Sequence, residues 1–298
     1  MNISIIIPVY KNTKEFLKNL QKNMPYMKTC EIIIINDSPQ DFELGSAVKK
    51  ICPECIYLKN ERNLGFGLSI NRAVALAQNE YIMLLNSDVL LSNMSYILAQ
   101  KKLSKLPQLF AVSFAQKERD ESIVGANTGR FTEGLFVHAG KTCTKECTNL
   151  WPDGGSCMFK KHIFTELCGY DGMYSPFYWE DVDLGYRAWK NNYTVLFMPT
   201  ILVEHHHETT IRRYFPDWYI RFIAQRNQLL FVWKNMETKH VLQHIFLLPL
   251  YMIRAFFHNL LFFASFTAAL KELPLIIIQR IRTKKNYTSD SIIAHQVQ

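Results

Sequence analysis

The chain reads as an α/β protein: a mostly parallel central sheet, helices on both faces, and an apolar helical extension at the C-terminus. Three observations carry that reading. Short β-branched apolar runs alternate with helix-patterned stretches through the first third of the chain. Two of the strongest runs end in polar turn signals, Asn36-Asp37-Ser38-Pro39 and Asn86-Ser87-Asp88. The last sixty residues change in kind, with 244–278 dominated by Leu, Phe, Ile and Ala.

Residues 3–7 are a nearly unbroken isoleucine run, as expected of a strand covered on both faces. The first eight residues lack a basic start and a long apolar run, so they read as this buried strand and not as a signal peptide. Helix is expected over 13–23, strand over 31–35, helix over 42–51, strand over 56–58, helix over 67–77 and strand over 81–85. That order implies βα crossovers and a mostly parallel sheet, whose ligands bind at the carboxyl ends of the strands. Asp37 and Asp88 both stand there. Residues 109–151 are less regular and richer in Gly, Thr and Cys, and are expected to hold strands and a long loop. Helices follow over 160–167 and 181–191, strands over 194–198 and 201–204, and a helix over 216–234 with Arg221 and Arg226 among apolar residues.

In the tail, the longest charge-free piece, 255–270, has 16 residues and includes His258-Asn259. A spanning helix needs about 20 apolar residues. The expectation is therefore helices that lie in a membrane interface or pack on the preceding domain, with a transmembrane hairpin as the alternative. The basic run 280–285 suits an anionic membrane surface or a solvated end. The same apolar surface could serve a homodimer. The chain divides on this reading into residues 1–235 and an extension, 236–298.

The 298 residues can bury a sizeable core. With 48% hydrophobic and 20% charged residues, the composition excludes a disordered chain. The net charge is +8, but the first 200 residues hold no compact basic stripe and no recognition motif, which argues against nucleic acid. Seven cysteines form no regular framework. Cys52/Cys55 and Cys143/Cys147 could be imagined as a zinc site, but the two pairs are far apart and spaced differently from each other, and reduced thiols in a cytosolic protein are the simpler account.

The chemistry concentrates at Trp179-Glu180-Asp181-Val182-Asp183, three carboxylates beside Phe177, Tyr178 and Trp179. A carboxylate on aromatic surface can act as general base on a sugar hydroxyl. The plainer reading is that these acids favour a helix N-terminus. Gly154-Gly155-Ser156 lies upstream and His205-His206-His207 downstream. Asp88, after an apolar strand, could hold a divalent cation that bridges two phosphates, or it could simply end a polar turn. Gly65 and Gly67 open a helix and Arg72 follows, an arrangement that can meet phosphate. It is not a dinucleotide fingerprint, because Ile70 stands at the third glycine position.

Taken in order, Ile5-Ile6-Ile7-Pro8-Val9-Tyr10, Ile35-Asn36-Asp37-Ser38, Asn63-Leu64-Gly65-Phe66-Gly67, Leu85-Asn86-Ser87-Asp88 and Glu180-Asp181-Val182-Asp183 resemble a family 2 glycosyltransferase. More narrowly, they are similar to its bacterial rhamnosyltransferase-like branch, with Gly154-Gly155-Ser156-Cys157-Met158, Gly169-Tyr170-Asp171 and Arg226-Asn227 in support. The resemblance covers about residues 1–235. It implies a GT-A fold, a nucleoside-diphosphate sugar donor (dTDP- or UDP-linked) and a Mg2+ or Mn2+ ion.

By the same resemblance, Pro8, Val9 and Tyr10 would line the nucleoside pocket, and Asp37 would accept from the base. Asn63, Arg72, Asn86 and Ser87 would lie near the donor. Asp88 would bind metal, with Asn86 in place of the first aspartate of the family's motif. Asp181 would be the catalytic base, with Glu180 and Asp183 supporting acceptor or loop position. His205, or His207 in a second register, would help hold the metal. The implied activity is inverting transfer of a sugar, such as rhamnose or another deoxyhexose, in surface polysaccharide assembly. The implied acceptor is a saccharide, lipid-linked, at the cytosolic face of the inner membrane. The alternative is a GT-A-like binding protein without turnover, which Asn86 and the irregular histidine register favour.

Overall fold

The computed structural model describes residues 2–205, 210–282 and 288–298. The elements run β1 (Ile3–Val9), α1 (Thr13–Met27), β2 (Glu31–Asn36), α2 (Leu44–Ile51), β3 (Ile56–Lys59), α3 (Phe66–Leu76), β4 (Tyr81–Leu85), β5 (Val89–Leu91), α4 (Ile97–Lys105) and β6 (Leu109–Lys117). There follow β7 (Ile123–Val124), β8 (Asn127–Thr132), β9 (Leu135–Gly140), β10 (Cys147–Thr148), β11 (Ser156–Lys160), α5 (Lys161–Glu166) and a 3-10 turn (Gly172–Tyr174). Then come α6 (Glu180–Lys190), β12 (Thr194–His205), α7 (Thr210–Tyr214) and α8 (Asp217–Asn235). Helices α9 (Thr238–His258), α10 (Leu261–Leu270), α11 (Leu273–Arg282) and α12 (Asp290–Gln296) close the chain.

The central sheet has the order β10-β12-β6-β11-β4-β1-β2-β3, with β5 added to β12 and β7 to β6. Strands β3, β2, β1 and β4 are mutually parallel, as the alternating pattern requires. Side chains alternate across the sheet. Ile5, Ile7 and Val9 pack with Phe16, Leu20 and Val48 on one face. Ile6, Ile33 and Ile35 pack with Ile70, Val74 and Leu184 on the other.

Three departures from the sequence reading have physical causes. First, β11 is a buried strand, antiparallel to both β4 and β6, that its composition conceals. Its ends are Ser156 and Lys160, and the Lys160 ammonium satisfies itself on the carbonyls of Leu106 and Pro107 at 2.7 and 2.9 Å. Second, the two strands expected over 194–204 are one, β12, with an irregularity between Met198 and Leu202 in its pairing to β6. Third, Cys143 and Cys147 form a disulfide, so the thiols are not all reduced.

The C-terminal helices share a core with what precedes them. Trp151, Trp179, Tyr186, Phe231 and Trp233 cluster with Phe262, Ala269, Ile276 and Ile293. Helix α9 contributes Ala255 and His244 to the interior, and its opposite face is bare. Leu242, Ile245, Phe246, Leu250, Ile253, Phe256 and Phe257 recur at helical spacing and are all exposed, Phe246 to 83%. Among the described residues, α9 is one helix long and apolar enough to cross a membrane, although it carries Pro249 and Arg254.

Candidate active site

A cleft of about 270 Å³ opens at the carboxyl ends of β1, β2 and β4. Pro8, Val9, Tyr10, Asp37, Asn63, Asn86, Ser87, Asp88, Glu180, Asp181 and His205 all line it. Local hydrogen bonds fix the turn after β4. The Asn86 N–H donates to Gly155 O at 2.9 Å, and Asn86 O accepts from Val89 N at 3.1 Å. The short β5 then pairs antiparallel with β12, in a register that sets Val89 opposite His205. That pairing brings His205 Nε2 to 3.2 Å from Asp88 Oδ1. Gly155 stands where these groups converge: a Cβ there would lie 3.0 Å from His205 Cε1 and Asp153 Oδ1, and 3.2 Å from Asn86 Nδ2.

This pair suits a divalent cation. The far nitrogen of His205, Nδ1, lies 2.5 Å from the carboxamide Oε1 of fully buried Gln116. Donation from Nδ1 to Gln116 leaves Nε2 carrying its lone pair toward Asp88, the tautomer that ligates metals. Asp88 Oδ1 is buried, and His205 Nε2 is the partner it faces. An imidazole lone pair and a carboxylate oxygen facing each other need a cation or a proton between them. Burial lowers the affinity of His205 for a proton, but Asp88 and Asp153 more than offset this, so its pKa is raised.

The second half of the site is the N-terminus of α6. Tyr178 and Trp179, which lead into it, both have left-handed backbones, with φ of 68° and 77°. Bulky residues adopt that conformation only under constraint. The constraint comes from α8: Asn227 Nδ2 reaches the carbonyls of Tyr174, Phe177 and Tyr178 at 2.9, 3.2 and 2.9 Å, and Arg226 reaches Ser175 O at 3.3 Å. Burial and then the charge of Asp153 raise the Asp181 carboxyl to about 7, against the lowering effect of the backbone N–H groups of Val182, Asp181 and Gly154. Burial and then Asp181 push Glu180 up as well, and its Oε2 is buried without a hydrogen bond. A carboxylate poised near neutrality is matched to taking a proton.

With this geometry in hand, residues 4–167, more than half of the chain, match the Glycosyl transferase family 2. The chain belongs to that family. The matched residues of this family 2 glycosyltransferase end before Glu180. Over 91 residues it is 31% identical to an uncharacterized glycosyltransferase of Methanocaldococcus jannaschii, which spans 29% of this chain and 31% of that one. The fold is that of the GT-A glycosyltransferases. It is similar to the crystal structure of GalNAc-T7 with UDP, GalNAc and Mn2+ (TM-score 0.63, 15% identity), covering 80% of this chain and 48% of that one. It is also similar to the mannosyltransferase PcManGT of Pyrobaculum calidifontis in complex with GDP-Man and Mn2+ (TM-score 0.56, 13% identity), covering 99% and 84%.

Two residues expected at the glycosyltransferase site do not face the cleft, and a third cannot be placed. Arg72 turns toward Asn60 and donates to its Oδ1. Asp183 is fully buried beneath the helix start, where it accepts from Tyr174 Oη at 3.0 Å, Arg187 Nε at 2.7 Å and Lys234 Nζ at 2.8 Å. Burial would raise its pKa, but Arg187 and Lys234 hold it well below the usual carboxylate range. His207 lies outside the described residues. Asp37 lines the cleft, but its oxygens are already engaged: Oδ1 accepts from Asn60 Nδ2 and Leu64 N, and Oδ2 from Gly65 N at 2.9 Å. It clamps the glycine loop, where Gly65 has φ +82° and a Cβ would strike Pro176 O at 2.6 Å.

The sequence reading missed Asp153, Gln116, Ile211 and Phe215. Asp153 faces the cleft and caps its own turn, accepting from Gly155 N at 2.8 Å. Its position before the two glycines is the one signal that could have found it. Ile211 of α7 and Phe215 just after it close the cleft, and Tyr214 ties α7 across it through a 2.8 Å bond to Lys11 O.

A second cluster, Glu237, His240 and Asp290, also has metal-ligand chemistry. There Asp290 already accepts from Lys190, from Tyr186 Oη at 2.6 Å and from Glu237 N at 2.8 Å. With a lysine ammonium on the same carboxylate, this is an ion-pair latch joining α12 to α6.

Proposed function

We propose that this protein is an inverting, metal-dependent glycosyltransferase that moves a sugar from a nucleoside-diphosphate donor to a saccharide acceptor. The observation that carries the reading is the convergence in one cleft of the Asp88–His205 pair and Asp181, whose carboxyl is poised near pH 7. Asp88 and His205 would hold Mg2+ or Mn2+, and the ion would neutralise the charge that develops on the leaving diphosphate. Asp181 takes the proton of the acceptor hydroxyl as that oxygen attacks the anomeric carbon, and a single displacement inverts the configuration. Pro8, Val9 and Tyr10 line the nucleoside side of the cleft. Both similar solved structures carry Mn2+ and a uridine or guanosine diphosphate group, which supports such a donor here.

The finer assignment is a dTDP- or UDP-linked donor, with rhamnose or another deoxyhexose favoured by the motif branch, acting in surface polysaccharide assembly. Residues 236–298 form an extension whose bare apolar face supports peripheral contact with the cytosolic face of the inner membrane and a lipid-linked acceptor. Self-association through that face is the competing use. The binding-protein alternative rests on Asn86 in place of an aspartate, while the intact Asp88, His205 and Asp181 favour turnover.

The test is thermal denaturation with UDP, dTDP and GDP, with and without Mn2+ or Mg2+, on wild type and Asp88→Ala. A ligand that binds only the folded state at 100 times its Kd stabilises it by about 2.7 kcal/mol. Metal-dependent stabilisation by one nucleotide, lost in Asp88→Ala, is expected. No stabilisation by any nucleotide would defeat the reading.

A further inference from the structure

The segment 171–179 leads into α6 and so sets where Glu180 and Asp181 stand. It also backs the glycine loop on the other side of the cleft: Pro176 O accepts from Phe66 N at 3.3 Å, and Ser175 Oγ donates to Leu64 O at 3.3 Å. Pro176, Phe177 and Tyr178 line the cleft. The C-terminal extension holds this segment at two points. At the first, Arg226 Nη1 donates to Ser175 O, and Arg226 Nη2 donates at 3.3 Å to Oε1 of Glu272, the residue just before α11. At the second, Gln279 Nε2 of α11 donates to Asp171 Oδ2 at 3.1 Å. The same oxygen accepts at 2.7 Å from Lys234 Nζ, which also reaches Asp183 Oδ1.

Helix α11 inverts the usual pattern, in which a packed helix buries its apolar stripe. Positions 272, 276, 279 and 280 share one face. That face meets the rest of the protein, and only Ile276 on it is apolar. Arg280 Nη1 donates to the carbonyls of Trp233, Lys234 and Met236 at 3.0, 3.1 and 2.9 Å, and so closes the C-terminal end of α8. The outward face carries Leu275, Ile277, Ile278 and Ile281, all exposed. Directional polar pairs, more than apolar burial, therefore fix the register of α11 against the segment. Apolar contact is non-directional, whereas a hydrogen bond displaced by an ångström is lost. Met173 N donates to Asp171 Oδ1 at 3.0 Å, and Tyr174 N and Ser175 N donate to Asp171 O and Gly172 O at 3.2 and 3.1 Å. These three amides report whether the segment is held.

We propose that Glu272 and Gln279 are positioning residues for the transfer reaction: acting through Arg226 and Asp171, they clamp segment 171–179 against both sides of the cleft, so that α11 is part of the active site. The proposal rests on the glycosyltransferase reading only for what the clamped segment serves. Its test is hydrogen–deuterium exchange of the full chain, read at residues 173–175, on wild type, Glu272→Ala, Glu272→Gln and Gln279→Ala, paired with a pH–rate profile of each. None of the three replaces an apolar core residue, so the variants should fold.

Exchange at 173–175 should be about fivefold faster or more in both alanine variants, and close to the wild-type rate in Glu272→Gln, which keeps an acceptor for Arg226. The break in kcat/KM, set at about 7 by burial of Asp181, should move downward in both alanine variants, because a loosened segment admits water to that carboxyl. A purely structural role would lower the rate and leave the break in place. Unchanged exchange at 173–175, faster exchange spread evenly over the chain, or a break that stays at about 7 would each overturn the proposal. Faster exchange confined to 173–175 in the alanine variants, where wild type itself transfers no sugar, would leave the clamp standing and defeat the glycosyltransferase reading instead.

Discussion

Asp181→Asn should lower activity and raise stability at once, and the pH dependences of the two effects should break at the same pH, about 7. Loss of a general base costs about 10²–10⁴ in rate. The carboxyl titrates at about 7 because burial and Asp153 disfavour its charge. Only the ionised form accepts a proton, so wild-type kcat/KM should fall about tenfold per pH unit below 7 and level off above it. The stability effect runs the other way. In the unfolded chain the group ionises near its ordinary value, so between about pH 4 and 7 the folded state binds the extra proton. Stability then falls as pH rises through that window and is constant above it.

A shift of about three units corresponds to ~4 kcal/mol as a ceiling, which contact with water in the cleft reduces to about 1–3 kcal/mol. Asparagine removes this cost. The melting-temperature gain of Asp181→Asn should therefore be larger at pH 8 than at pH 5, by a few degrees. Calorimetry at the two pH values, paired with a pH–rate profile, checks both arms. An Asp181→Asn protein that keeps wild-type turnover, or that gains equally at both pH values, would refute the assignment of a desolvated base.

Asn227→Ala strips the hydrogen bonds from three carbonyls of the loop that holds Tyr178 and Trp179, and should cost about 2–4 kcal/mol in urea denaturation while lowering kcat. Lys234→Met leaves Asp183 short of a buried partner and should cost about 3–5 kcal/mol. The depressed carboxyl of Asp183 gives stability that is present above its unfolded pKa and lost as pH falls, so this variant should also lose part of the wild type's steep acid unfolding. Gly65→Ala meets both a positive φ and the Pro176 carbonyl, and should cost more than about 1 kcal/mol while weakening nucleotide binding, read by titration.

The half of the site built on β1, β2 and β4 was legible because those strands are apolar on both faces and end abruptly in polar turns. Asp37 and Asp88 were found that way. What Asp37 does was not, since its engagement by Leu64 and Gly65 depends on a loop 27 residues away. The Asp88–His205 meeting depends on β5 pairing with β12, and β5 is only three residues long. The division of labour between Asp181 and Asp183 follows from helical geometry. Residues two apart point to different sides, so one faces the cleft and the other the interior. Sequence pattern gives that difference but not which residue faces which way. Buried β11 escaped because a lysine satisfied by carbonyls and a buried serine carry no apolar signature.

Donor chemistry at the cleft is tested most directly by release of nucleoside diphosphate from UDP-, dTDP- and GDP-linked sugars by the purified chain with Mn2+ or Mg2+, measured beside Asp88→Ala and Asp181→Asn. Metal-dependent release from one donor class is expected, abolished by the first substitution and reduced at least about 10²-fold by the second. Release that is indifferent to metal and to both substitutions would contradict it.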